Sequence, residues 1–264
     1  MWLATFLLLA APTFVFLWDK WTRSIWHNGH GMFVPLLSGF LAYHALKRQP
    51  VKREEPSAWG FAFLLPALFF IAIDGAIKTE LLAAFALILC LPGLSLLLLG
   101  PRRTRALAFP FFLTLFMLPV PGAFMTQIHL YLRELTTDGT GWVLGQFGAP
   151  VFAQGTFIHL PHGTLKVVEE CSGFSALYAA VTVALILAYM ARSKTRRAVL
   201  LLAAVPLALA CNVARIVALA ILAEQAGYGL LDTPLHLLSG YITFILTLVA
   251  LFLLAERQPR GATG

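Results

Sequence analysis

Long apolar runs separated by short polar connections dominate the chain. A membrane-spanning helix needs about 20 mostly apolar residues, with a range of about 17–25. The pattern predicts eight such helices, at residues 1–18, 31–46, 57–74, 81–100, 106–123, 172–191, 198–223 and 236–255. The second is short and contains Tyr43 and His44. One long connection interrupts the series, from about residue 125 to 170. Its first part, 126-TQIHLYLRELTTDGTGWVLGQF-147, sets Ile128, Leu132 and Leu135 at helical spacing among polar residues, which predicts an amphipathic helix lying at the interface. The next part, 156-TFIHLPHGTLKVVEE-170, has two β-branched runs around Pro161-His162-Gly163. That is the signal of a small β-hairpin, expected to cap the outer face. The fold class expected is an all-α polytopic membrane protein, one integral domain over residues 1–264, with this outer loop inserted before the last three helices.

Composition agrees. Hydrophobic residues make up 59% of the chain and charged residues 12%, with a mean hydropathy of +0.83. Soluble globular domains carry about 25% charge. The net charge of +7 invites a nucleic-acid partner, but its distribution argues otherwise. Lys47, Arg48, Lys52, Arg53, then Arg102, Arg103, Arg105, then Arg192, Lys194, Arg196, Arg197, and finally Arg257 and Arg260 all follow even-numbered spans. Basic residues in short loops mark the cytoplasmic side. Both termini are then cytoplasmic, as eight spans require. Most acids fall on the opposite side, among them Asp19, Asp74, Glu80, Glu134, Asp138, Glu169, Glu170, Glu224 and Asp232. The basic residues are orientation signals, and no nucleic acid is expected. The first run has no Lys or Arg before it and no small-x-small cleavage site before Asp19 and Lys20, so it is expected to be a retained helix.

The candidate chemistry centres on 167-VVEECSGFSAL-177, where Cys171 stands between a polar loop and an apolar helix. A helix N-terminus favours a thiolate, whereas Glu169 and Glu170 oppose it. Arg215 is the cation that would settle the balance. It lies seventeen residues into the seventh span, roughly 25 Å up from the cytoplasmic end at ~1.5 Å per residue. An Arg within an apolar run is a functional-site hypothesis by default. Asn212, one turn earlier on the same face, is expected to hold the guanidinium by hydrogen bonding. His236 opens the eighth span at the same depth, and Ser239 and Gly240 follow one turn later, suiting close helix packing. Taken singly, each has an ordinary reading. Cys90 and Cys211 are small apolar residues in spans, Arg215 could snorkel to lipid phosphates, and a lone His near a helix end is commonly interfacial. His27, His30, His159 and His162 form two HxxH pairs that match no strong ligand signature, so no metal and no cofactor is expected. The three cysteines imply no disulfide framework.

Several segments together resemble the exosortase/archaeosortase family: 30-HGMFVPLLSGFLAY-43, 119-PVPGAF-124, 155-GTFIHLPHGTLKVVEECSGFSAL-177, 212-NVAR-215 and 236-HLLSGYITF-244. The resemblance implies a membrane-embedded cysteine peptidase or transpeptidase with Cys171, Arg215 and His236 as catalytic residues. It implies substrates that are secreted proteins bearing a C-terminal motif (Pro-Glu-Pro in the best-known class), a transmembrane helix and a basic tail. It also implies the bacterial inner membrane, with the site on its outer face among membrane lipids. It leaves open the acceptor and the oligomeric state. Two other classes compete: a transporter or non-catalytic subunit of envelope polymer export, which needs polar residues at mid-membrane on several helices, and a membrane acyltransferase acting on lipid-linked glycans.

Overall fold

Leu-, Ala- and Phe-rich runs form the helices, four of which continue through an internal proline, Pro12, Pro66, Pro92 or Pro206. The computed structural model describes residues 2–22, 29–48 and 55–257; within these, the side chains of residues 2–9, Asp232, His236, Leu237 and Arg257 are outside the described ones. The chain divides into two units, Met1–Pro121 and Gly122–Gly264.

The first unit holds α1 (Trp2–Thr22), α2 (Val34–Lys47), α3 (Phe61–Ile77), α4 (Leu81–Leu99) and the short α5 (Pro101–Ala106) and α6 (Ala108–Leu113). Helices α3 and α4 are joined by a tight turn in which Lys78 and Glu80 take positive φ. The buried Asp74 carboxylate holds that turn, accepting from Thr79 Oγ1 at 2.5 Å and from the Glu80 N–H at 3.0 Å. Glycine lets the pair approach closely, since a Cβ on Gly60 would lie 2.6 Å from the Gly93 carbonyl oxygen.

The second unit holds α7 (Gly122–Gln146), three strands, α8 (Phe174–Met190), α9 (Lys194–Ala226) and α10 (Pro234–Arg257). Helices α8, α9 and α10 meet on Ala180, Ala184, Ala204, Ala208 and Leu251, all at most 2% exposed. Small residues at a helix seam bring backbones together and gain dispersion contacts where no water is displaced. Strands β1 (Phe152–Gln154), β2 (Phe157–Leu160) and β3 (Gly163–Lys166) form an antiparallel sheet in the order β1-β2-β3. Pro161 and His162 turn β2 into β3, and Phe157 pairs with Lys166. Alternate residues Ile158 and Leu165 face inward onto a cluster with Leu144, Val167, Cys171, Ile216, Leu219 and Ala220.

Among the described residues, five helices are long and apolar enough to cross a membrane, or six if one helix pair separated by a short break counts as a single span. The chain is a multi-pass membrane protein. The expected count of eight is not reproduced, for local reasons. Helix α2 has only 14 residues, about 21 Å at ~1.5 Å per residue and short of a ~30 Å hydrocarbon core. The run 106–123 breaks up: α6 ends at Leu113, a 3₁₀ turn covers Thr114–Met117, and Leu118 is already extended. Pro119 and Pro121 supply no N–H to carry the helix on. The first run is a continuous helix of 21 residues.

Helix α7 is the helix expected over residues 126–147; it starts earlier, at Gly122, and ends at Gln146. Its buried stripe is His129, Leu132, Thr136, Thr137, Thr140 and Leu144, mostly polar. Leu135, on the stripe expected to lie at the membrane interface, is 38% exposed, beside the exposed Leu130, Tyr131 and Trp142. Four polar side chains turn inward with Leu132 and Leu144, while exposed apolar residues share the outer side with Glu134 and Asp138.

Candidate active site

Cys171 does not begin α8. It ends a 3₁₀ turn, Glu169–Cys171, and the helix starts at Phe174 after Gly173, whose φ is +76°. The two glutamates are exposed on that turn, while Cys171 is 3% exposed in the apolar cluster beneath the sheet. The turn has two backbone hydrogen bonds of its own, Cys171 N–H to the Val168 carbonyl at 2.9 Å and Ser172 N–H to that of Glu169 at 3.0 Å, and neighbouring side chains add to them.

Two helices provide them. From α9, Asn212 Nδ2 donates to the Cys171 carbonyl at 2.9 Å and to Thr136 Oγ1 at 3.1 Å. Asn212 is 1% exposed and packs against Gly173, where an added Cβ would lie 2.7 Å from Asn212 Cγ. This differs from the expected role: Asn212 holds the cysteine's backbone. From α7, His129 Nδ1 shares a 2.8 Å hydrogen bond with Ser172 Oγ, which also accepts the Phe174 N–H at 3.3 Å. The imidazole is tilted against the Phe174 ring, with centroids 5.2 Å apart.

Arg215 stands one turn after Asn212 and is 8% exposed. Its charge acts on Cys171, as does that of Glu170. Its Nε donates to Ser239 Oγ on α10 at 2.9 Å. Ser239 therefore links α9 to α10, and Gly240 follows it half-buried. His236 falls in the first turn of α10, which opens on Pro234 after Thr233 accepts the Leu235 N–H at 3.4 Å. The His236 side chain lies outside the described ones. Cys171, Asn212, Arg215 and Ser239 are thus brought together, with the backbone of His236 one turn from Ser239.

A model described as transmembrane exosortase matches residues 18–253. The chain belongs to the transmembrane exosortase family. No match is found among curated proteins or among solved structures.

Around this exosortase site, sequence reasoning overlooked His129, Ser172 and Thr136. Thr136 and His129 sit seven residues apart, two turns on one helix face, and that polar periodicity was the available signal. A second polar group closes the far side of the sheet. His162 Nδ1 lies 2.6 Å from Glu224 Oε2, and Tyr228 OH donates to Glu224 Oε1 at 2.5 Å. The Tyr228 ring lies over Gly163, where a Cβ would come within 2.8 Å of it. Burial and the adjacent Glu224 carboxylate push the Tyr228 phenol up to about 12. Beside this clasp is a pocket of about 240 Å³, lined by Leu144, Leu160, Pro161, Ile221 and Glu224 among others. Among the described residues, no group of three or more His, Cys, Asp or Glu could hold a metal ion, and His27 lies outside them.

Proposed function

We propose that this exosortase is a cysteine-type membrane peptidase/transpeptidase that cleaves the C-terminal sorting signal of secreted proteins at the outer face of the inner membrane. The observation that carries the reading is the convergence on Cys171. Asn212 grips its carbonyl at 2.9 Å, and Arg215, one turn on and 8% exposed, is held by Ser239 Oγ at 2.9 Å. In the proposed reaction the Cys171 thiol gives its proton to His236 as its sulfur attacks the scissile carbonyl. A thioester bond forms, the peptide C–N bond breaks, and His236 passes that proton to the departing amine. An acceptor nucleophile then attacks the thioester and gives its proton to His236, which returns it to the leaving Cys171 sulfur and restores the thiol. Arg215 stabilises the oxyanion in a site shielded from water, where such a donor is worth about 10²–10³ in rate.

A secreted substrate carrying the signal, tagged on its mature portion, tests this in cells. Cys171→Ala is expected to abolish cleavage, and Arg215→Ala to slow it by about 10²–10³. Mass spectrometry of the enzyme should find the truncated substrate joined to Cys171. Full processing by Cys171→Ala would defeat the peptidase reading.

A further inference from the structure

The least expected side chain near Cys171 is His129. It is 2% exposed on the inner face of α7, and burying a polar group costs several kcal/mol unless it is hydrogen-bonded. Its Nδ1 shares a hydrogen bond of 2.8 Å with Ser172 Oγ, of the residue directly after the cysteine, which is itself 1% exposed. Ser172 Oγ also takes the first free N–H of α8, that of Phe174. Two successive residues are therefore gripped from opposite helices: Cys171 through its carbonyl by Asn212 of α9, and Ser172 through its hydroxyl by His129 of α7. Between these grips and α8 stands only Gly173, in the left-handed region.

We propose that His129 is a positioning residue for Cys171: its Nδ1 anchors Ser172 and so fixes the direction in which the thiol meets the scissile carbonyl. The proposal rests on the peptidase reading above. A histidine that merely ties α7 to its neighbours would contribute stability and leave the turnover of folded enzyme unchanged. A positioning residue changes turnover, because a misplacement of about 1 Å at a reacting atom can cost about 10²-fold.

The test uses the full chain in proteoliposomes with a tagged substrate. His129→Ala and Ser172→Ala are expected to lower kcat by about 10²-fold with KM little changed. The double variant should be no slower than either single one, because both remove one interaction. His129→Asn places an amide atom where Nδ1 stands and should recover most of the rate. His129→Gln places its amide farther out and should not. These two and Ser172→Ala carry the test if His129→Ala fails to fold. Wild-type kcat in Ser172→Ala, or a His129→Asn enzyme as slow as His129→Gln, would overturn the proposal. Alkylation of Cys171 in a Cys90→Ala/Cys211→Ala background needs no substrate. Loss of the anchor should speed it by about two- to tenfold, and an unchanged rate would overturn the anchor. Cleavage surviving Cys171→Ala would instead remove the peptidase reading, with alkylation still deciding whether His129 holds the cysteine segment.

Discussion

At Gly173 the backbone turns with φ +76° and the α-carbon presses against Asn212. Gly173→Ala combines a conformation that L side chains rarely adopt with a contact of 2.7 Å to Asn212 Cγ. The strain expected is about 1–3 kcal/mol, read as a fall in thermal stability of the purified protein together with slower cleavage. Asn212→Ala leaves the Cys171 carbonyl and Thr136 hydroxyl without that donor, a loss of about 1–3 kcal/mol. Cys171 and Arg215 were legible in the sequence because a charge or a thiol beside charges is conspicuous among apolar residues. The work of Asn212 was legible only as proximity on one helix face. Its partner could have been Arg215, on its own helix, but is Cys171, on another, and no intrahelical spacing decides between them.

At the scale of elements, the sheet is joined to the end of α9 by His162, Glu224 and Tyr228. Tyr228 follows α9 in the connection that leads to α10 and His236. The sign of its pH dependence follows from the raised phenol. While Glu224 is ionised, the Tyr228 hydrogen bond to it contributes in full below the ordinary tyrosine value near 10. Its contribution is lost as pH rises from about 10 to about 12, where the phenolate forms. A spectrophotometric titration, differenced against Tyr228→Phe, should show this late step, and Glu224→Gln should move it back toward 10. The strand segments were readable from β-branched runs around Pro161-His162-Gly163. The third strand, β1, was not, because three residues carry too little periodicity. Helix α7 was readable as a helix, but its buried polar stripe was not read from the sequence. His129 finds Ser172, just before α8, and Thr136 finds Asn212 on α9.

For the molecule as a whole, Lys and Arg placement predicts a cytoplasmic α8–α9 connection and an outer sheet. Ser193, exposed and making no cap hydrogen bond, and Gln154, exposed on β1, are suitable reporters. In a Cys90→Ala/Cys171→Ala/Cys211→Ala background, a membrane-impermeant maleimide should label Gln154→Cys when applied from outside. It should reach Ser193→Cys only after permeabilisation. The reverse pattern would invert the topology.

The sequence by itself determined that this is a multi-pass membrane protein, that it resembles the exosortases, and that Cys171, Arg215 and His236 are its reactive candidates. Hydropathy, charge placement and short motifs are local properties, and they can be read one segment at a time. The tertiary structure alone decided how many runs are long, unbroken helices, which face of α7 is inside, and what holds Cys171. Those outcomes depend on where Pro and Gly stop a helix within a long apolar run. They depend equally on hydrogen bonds between residues 41, 43 and 76 positions apart, which no periodicity records.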